Sequence, residues 1–442
     1  MVKVKVAFLC GGVGRRMAPI TEDKFLLPFL GKTLFEYQIE QAMEAGIGEF
    51  VVVVNAGNSD QVRDIFAKFP QVKVQFALQK EARGMADALL EARHFFQGDI
   101  LVVSPNDIVE TSAYSNLIQA RASSDGFAYL LARRVKEYFP GGYVVMGNGG
   151  RLEHIVEKPE PGTEPSDLIN LVLHLHTNMP EFLKRVESVG INSDDVYERA
   201  LDLVVKEGHD IRVVEYEGLW QAIKYPWHIL DVVEQLLSRA DGYVSSEAEI
   251  SDRAVISGKV VIESGVKVLE NAVIKGPCYI GRGSIIGNGA LIRDFAHIGE
   301  RCVVGFGTEI KHSYIGDDCW FHMNYIGDSV VGSRCSFGAG TVTANLRFDE
   351  GEVMVKVADE RRVTGRGKLG AFIGEDCRTG INASLMPGVK VGHRAVVGSH
   401  VCLSEDLDED MAAFAQEKVR VMKRETTLDF GKRDEFKKRL EG

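Results

Sequence analysis

The chain has 442 residues, 45% of them hydrophobic and 26% charged, with a formal net charge of −11, the composition of an ordinary soluble globular protein long enough for two or three domains. An acidic balance of that size excludes a nucleic-acid polymer as partner, while small anions remain possible wherever basic residues gather. The seven cysteines are odd in number and form no CxxC pair, which predicts reduced buried thiols in a cytoplasmic protein, and no membrane span or export signal is expected because no apolar run reaches ~18 residues.

Up to about residue 240, short β-branched runs alternate with amphipathic stretches. VKVAFL (4–9), FVVVV (50–54), VKVQFAL (72–78) and DILVV (99–103) read as strands buried on both faces, and TLFEYQIEQAMEAG and MADALLEARHFF read as helices. This predicts an α/β domain over residues 1–240, with a mostly parallel, Rossmann-like sheet covered by helices on both sides. Such sheets bind ligands beyond the carboxyl ends of their strands, and there, after the first strand, stands CGGVGRRMAPITEDKFLLP (10–28). It fits neither familiar phosphate loop. Met17 replaces the third glycine of GxGxxG, and no glycine precedes Gly31-Lys32-Thr33 by five residues as a Walker loop needs. Gly11, Gly12 and Gly14 let the backbone come close to a ligand, and the amides of such a turn face anions. Arg15, Arg16 and Lys24 add positive charge that suits a nucleoside triphosphate.

From residue 250 the hydrophobic period becomes six. Ile250, Ile256, Ile262, Val268, Ile274, Ile280, Ile286, Ile292, Ile298, Val304 and Ile310 follow it without a miss. After a phase break it returns at Ile373, Leu385, Val391, Val397 and Leu403, with Thr379 out of type. Neither a helix nor a half-buried strand has this period. A parallel β-solenoid does, with one aliphatic side chain inside per six-residue rung and glycine at the corners. The repeat spans about 245–405 and is interrupted at 343–371, a stretch expected to project as a loop. Residues 406–442 run from acidic to basic and read as a cap over the last rung followed by a frayed end. A rod of this kind has exposed faces that need partners, so a homo-oligomer is expected.

GGVGRRMAPITEDKFLLPFLGKTLFEYQIE (11–40) resembles the opening signature of the sugar-1-phosphate nucleotidylyltransferases. QKEARGMADAL (79–89) resembles that family's base-contacting segment, with Met85 in the place of Thr or Leu. SPNDIV (104–109) resembles its metal-holding strand end, and GGYVV, HIVEKP (154–159) and LIN (168–170) resemble its sugar-phosphate pocket. The resemblance implies a nucleotide held by Gly11, Gly12, Gly14, Arg15, Gln79 and Gly84, with Arg16 and Lys24 catalytic. It further implies Mg²⁺ on Asp107, and a sugar 1-phosphate on Glu157, Lys158 and Asn170. UTP and dTTP both suit the loop. One departure stands out in GLWQAIKYPWHIL (218–230): Ala222 occupies the place of the family's second metal carboxylate, and Lys224 that of a glycine. Alanine cannot ligate a hard cation that prefers oxygen donors.

In the repeat, GTEIKHSYIGDDCWFHMNYIGDSVVGSRCSFGAGTVTANLRFD (307–349) resembles the acetyltransferase half of bifunctional N-acetylglucosamine-1-phosphate uridylyltransferases, and RRVTGRGKLGAFIGEDCRTGIN (361–382) resembles their archaeal-type branch. The resemblance implies a left-handed parallel β-helix forming a homotrimer, with acetyl-CoA as co-substrate. His322 would be the general base on a sugar amine, a task that suits imidazole. Arg293 and Lys311 would hold the sugar phosphate, Tyr325, Asn345 and Ser336 the amino sugar, and Ala339 would lie beside coenzyme A; Lys368 is a second phosphate candidate. Two other readings stay open on the residues alone. One is an acetyltransferase whose front half only binds a nucleotide or effector, and the other is a non-catalytic regulatory or assembly subunit.

Overall fold

The structure, a computed structural model, describes residues 3–12, 14–191, 193, 195–358, 360–416, 421–423 and 430–441. In the front half the elements run β1 (Val4–Leu9), α1 (Leu34–Glu44), β2 (Glu49–Val54), α2 (Ser59–Ala67), β3 (Lys73–Leu78), α3 (Met85–Glu91), β4 (Asp99–Val103) and β5 (Asp107–Val109). They continue as α4 (Thr111–Ser123), β6 (Ala128–Arg134), β7 (Gly142–Met146), β8 (Leu152–Glu157), β9 (Leu168–His176), α5 (Met179–Val189), α6 (Val196–Lys206), β10 (Ile211–Glu215), β11 (Trp220–Ala222) and α7 (His228–Arg239). Local chemistry starts the helices where the sequence allows it. At α1 Thr33 Oγ1 accepts the Glu36 amide while Glu36 accepts the Thr33 amide, a reciprocal cap.

The main sheet has the order β8-β7-β9-β4-β1-β2-β3, with β6 on β9 and β10 on β6. β4, β1, β2 and β3 are mutually parallel, and the long β9 joins them to an antiparallel extension through β4, β6 and β7. β3 corrects the expectation of burial on both faces. It lies at the sheet edge, and Lys73, Gln75 and Leu78 are exposed. The parallel strands end, as such sheets require, around the glycine turn at 10–14.

From residue 243 the chain winds into a prism of three parallel sheets. Successive coils stack in register, for example Ile262 on Ile280 and Ile280 on Ile298, and the aliphatic anchors form one continuous buried core. The phase break has a simple cause. The steps Ile310 to Ile315, Phe321 to Ile326 and Ile326 to Val331 are five residues long, and each anchor still stacks on its neighbour one coil away. Hydroxyls satisfy the backbone that these short steps turn inward: Ser329 accepts the Ala371 amide and donates to the Gly327 carbonyl, and Ser313 accepts the Ser329 amide.

The interrupting stretch does not simply project. Met354–Val357 and Glu360–Val363 pair as a hairpin, and Val353 and Val355 are buried in the apolar cluster that holds Tyr225, Trp227, Leu369 and Phe372. The same cluster fixes the front half against one face of the prism, where Tyr279, His297 and Tyr314 stack at 4.8 Å spacing beside Phe29. In the tail, Ala412–Ala413 adds a strand beside Val396–Val397 and Phe430–Glu441 is a helix; 417–420, 424–429 and 442 lie outside the described residues.

Candidate active site

A cavity of about 570 Å³ opens at the carboxyl ends of β1, β3 and β4, a volume in the range of small-molecule sites. Its walls bring together Gly11, Gly12, Gly14, Arg16, Lys24, Gln79, Gly84, Asp107, Glu157, Lys158 and Asn170. The side chain of Arg15 lies outside the described residues. Gly11 has a direct packing reason: a Cβ there would meet Gln79 Oε1 at 2.0 Å. Gln79 is buried and donates to the Gly84 carbonyl at 3.2 Å and to Asp87 at 2.9 Å, so the two loops brace each other. Asn58 holds the other side of the turn, donating to the Cys10 carbonyl and to Asp23, both at 2.8 Å.

The end of the cavity around Gly14, Arg16, Lys24 and Lys224 is cationic. Lys24 has its pKa lowered to about 8, first by burial and then by the charge of Lys224, with Asp107 acting the other way. Lys224 Nζ lies 5.3 Å from the centre of the Phe139 ring, and its backbone amide donates to His228 Nδ1 at 3.1 Å. Burial foremost, followed by the charge of Arg366, lowers the His228 pKa to about 4, so it serves as a neutral acceptor. β11 pairs with β5 so that Ala222 lies directly opposite Asp107. Asp107 Oδ2 accepts the Trp220 indole N–H at 2.8 Å. Asp107 lines this end of the cavity together with Lys24 and Lys224, where the family resemblance implies a divalent ion. That donor set meets the pattern in which one protein carboxylate and the phosphates of a nucleotide share the ion; it does not make an all-protein cage.

The opposite end, around Glu157, Lys158 and Asn170, is held by a buried relay that sequence reasoning missed. His174 Nε2 lies 2.6 Å from Asn170 Oδ1, and its Nδ1 lies 2.7 Å from the Tyr197 hydroxyl, which also lies 2.7 Å from His176 Nε2. Burial keeps both imidazoles neutral, with His176 lowered to about 3 and His174 well below its usual value. A neutral His174 donating to Asn170 Oδ1 leaves the Asn170 amide N–H groups to face the cavity. Lys158, at a left-handed φ of +46°, closes on Glu157 with a 3.0 Å ion pair. Glu198, on the first turn of α6, also lines this end and was not foreseen; its place at the margin of an otherwise regular apolar helix face was the available signal.

On the prism, Arg293 and Lys311 are register neighbours on one face, and Tyr325 stands beside Glu309 one coil on. All three are engaged. Arg293 pairs with Glu309 at 2.6 Å, Lys311 with Asp328 at 3.1 Å, and the Tyr325 hydroxyl accepts from Asn345 at 3.1 Å. His312, unnoticed in the sequence, joins this network through Asp328 at 2.7 Å and Glu234 of α7 at 2.6 Å. His322 and Ala339 lie at the next corner, and Ser336 stands on the adjoining face between Trp320 and Arg378. Lys368 is exposed and bridges to Leu346. His322 is exposed, as are Phe306, Trp320 and Met323 around it, at 68%, 53% and 53%.

Residues 5–218 match the family model described as nucleotidyl transferase. Residues 259–294, 277–312 and 370–405 match the model described as bacterial transferase hexapeptide (six repeats). Among known proteins the chain is similar to a bifunctional sugar-1-phosphate nucleotidylyltransferase/acetyltransferase of Sulfurisphaera tokodaii, 34% identical over 91% of this chain and 98% of that one. It is also similar to the bifunctional protein GlmU of Methanococcus maripaludis, 36% identical over 94% and 98%. The GlmU of Methanocaldococcus jannaschii is 30% identical over 93% and 97%.

Proposed function

Because this chain belongs to the family of bifunctional sugar-1-phosphate nucleotidylyltransferase/acetyltransferases, we propose that the front cavity joins a nucleoside triphosphate to a sugar 1-phosphate and that the prism N-acetylates an amino-sugar 1-phosphate with acetyl-CoA. The observation that carries the reading is the convergence of the glycine turn, Arg16, Lys24, Gln79, Asp107, Glu157, Lys158 and Asn170 on one cavity.

In the transfer step, an oxygen of the sugar 1-phosphate attacks the α-phosphorus in line, the α–β bridging bond breaks, and pyrophosphate leaves with the bond's electron pair. The attacking oxygen is already an anion, so no general base is needed. The chain's contribution is alignment and charge. Gly11, Gly12 and Gly14 admit the phosphates, Gln79 and Gly84 border the base, and Arg16, Lys24 and Lys224 meet the charge that develops on the departing pyrophosphate. Asn170 donates to a sugar hydroxyl, Glu157 accepts from one, and Lys158 reaches the sugar phosphate. Asp107 would hold a Mg²⁺ ion accompanying the nucleotide, and the ion would supply further charge neutralisation.

On the prism His322 takes a proton from the sugar amine as it attacks the thioester carbonyl, and coenzyme A leaves as the thiol. Arg293 and Lys311 receive the sugar phosphate in exchange for Glu309 and Asp328, Tyr325, Asn345 and Ser336 orient the sugar, and Ala339 borders coenzyme A. The exposed Phe306, Trp320 and Met323 beside His322 favour a homotrimer in which a neighbouring copy covers this corner. Among the described residues no helix is long and apolar enough to cross a membrane.

The test measures both products. Pyrophosphate release from UTP or dTTP with a sugar 1-phosphate, and coenzyme A release from acetyl-CoA with glucosamine 1-phosphate, are both expected. His322→Ala is expected to abolish the second and spare the first. No pyrophosphate with any sugar would sink the front-half reading, and equal coenzyme A release by parent and variant would sink the role of His322.

A further inference from the structure

Arg16 and Lys24 line the front cavity from opposite ends of one short length of chain. Where these cations stand depends on what that segment rests on, and much of it rests on the prism. Met17 and Ile20 are buried in the apolar cluster that contains Tyr314, Val330 and Phe372 of the prism. The Pro19 carbonyl lies so near the prism's backbone that a Cβ on Gly374 would meet it at 2.8 Å. At Thr21 one carboxylate completes the contact. Glu375 Oε1 accepts the Thr21 amide at 3.3 Å, and Glu375 Oε2 accepts the Thr21 hydroxyl at 2.8 Å.

Glu375 is itself fixed. It is 8% exposed, and His393 Nδ1 lies 3.1 Å from its carbonyl oxygen and 3.6 Å from its Oε2. A carboxylate taken out of water needs donors, and Thr21 supplies two. Packing gives no such hold on the outer side of the segment. There a cavity of about 700 Å³ separates Gly14 and residues 18–23 from Lys390, Gly392, His393 and Leu407 of the prism. From the front half, Asn58 holds Asp23 at 2.8 Å. The turn that leads into Lys24 is thus pinned from both halves of the chain at once.

We propose that Glu375 is a positioning residue for nucleotidyl transfer: through Thr21 it sets the segment so that Lys24, three residues on, meets the triphosphate. This rests on the reading of the front cavity as the nucleotidyl-transfer site. Two bonds to the two oxygens of one carboxylate fix direction as well as distance. A displacement of about 1 Å in a group that meets the reacting atoms can lower a rate by as much as ~100-fold. The prism is then part of the front site's framework as well as a separate catalyst.

The experiment measures UTP affinity by calorimetry and pyrophosphate release, both on the full chain. Thr21→Val removes the hydroxyl at an exposed position and keeps the side chain's shape. It is expected to weaken UTP binding and to lower kcat/KM for UTP, each ~5-fold, with KM for the sugar 1-phosphate changed less than ~2-fold. Thr21→Ser, which keeps the hydroxyl, should bring both back to within ~2-fold of the parent. Glu375→Gln offers an oxygen to only one of the two donors and should resemble Thr21→Val. Coenzyme A release is expected to stay within ~2-fold of the parent in Thr21→Val, because the prism's own site is untouched. A double-mutant cycle in UTP binding separates positioning from mere cohesion of the two halves. In a Lys24→Ala background the effect of Thr21→Val should shrink below ~2-fold. An effect of the same size with and without Lys24, or no loss in Thr21→Val at all, overturns the proposal and leaves the transfer reading standing. A parent that neither binds UTP nor releases pyrophosphate overturns the transfer reading, and the proposal with it.

Discussion

Lys24 is half-buried beside two other cations, so its proton is held less firmly than that of a surface lysine. Its folded pKa is lowered to about 8, which leaves it charged at neutral pH and uncharged not far above. A bound triphosphate reverses the balance by supplying negative charge, so nucleotide binding and protonation of Lys24 reinforce each other. UTP affinity, measured without sugar so that the other end of the cavity does not contribute, is therefore expected to be level between about pH 6 and 7.5 and to fall above about 8. Lys24→Arg keeps its charge through this range. It is expected to bind more weakly at pH 7, because the guanidinium does not fit the lysine's place, yet to show no alkaline fall. An alkaline fall unchanged in the arginine variant would mean that another group sets it.

At the scale of single elements, the prism shows what one sequence reveals and what it hides. Anchors such as Ile262, Ile280 and Ile298 were legible because each coil repeats one steric demand, an aliphatic group at the centre. The three five-residue steps were not, because a shortened rung keeps its anchor and shifts only the count; its compensation by Ser313 and Ser329 is a matter of hydrogen bonds, and no period marks it. The glycine turn, Asp107 and Asn170 were legible as short motifs. Glu198 and the His174–Tyr197–His176 relay were not, since lone polar residues between apolar neighbours read as solvated positions until strand pairing sets them in the interior. The expectation of buried thiols holds for six of the seven cysteines and fails at Cys402. Cys302, Cys319, Cys335 and Cys377 occupy equivalent corners, and each donates its thiol to a glycine carbonyl one coil on, at 3.2, 3.2, 3.1 and 3.0 Å. Cys402 alone among the seven is exposed. An aromatic disulfide reagent is expected to titrate Cys402 on the native protein and the other six only after unfolding. Rapid reaction of any corner cysteine would show that the coils open locally.

For the whole molecule, the front half is held to the prism by more than an apolar face. Thr21, in the segment that follows the glycine turn, donates its amide and hydroxyl to the buried Glu375 of the prism at 3.3 and 2.8 Å. Arg366 of the hairpin segment pairs with Asp231 of α7, and His312 bridges Asp328 of the prism to Glu234 of α7. Burial opposes charge on His312, but the hydrogen bonds to Asp328 and Glu234 outweigh it and raise the pKa to about 9. The facing groups are Asp328, itself held below its usual range by His312, Asn345 and Lys311 despite burial, and Glu234, lowered chiefly by His312. A histidine raised in the folded state lends stability that is fully present below its unfolded value of about 6.5 and disappears as pH rises through about 9. The gap corresponds to roughly 2–3 kcal/mol once partial exposure is discounted. His312→Gln should therefore lower Tm by ~2–5 °C at pH 6 and leave it within ~1 °C of the parent at pH 10. Glu234→Gln should follow the same pH dependence with a smaller loss, because Asp328 still faces the imidazole. A His312→Gln deficit that is as large at pH 10 as at pH 6 would mean that the bridge acts through packing, with no charge across the interface.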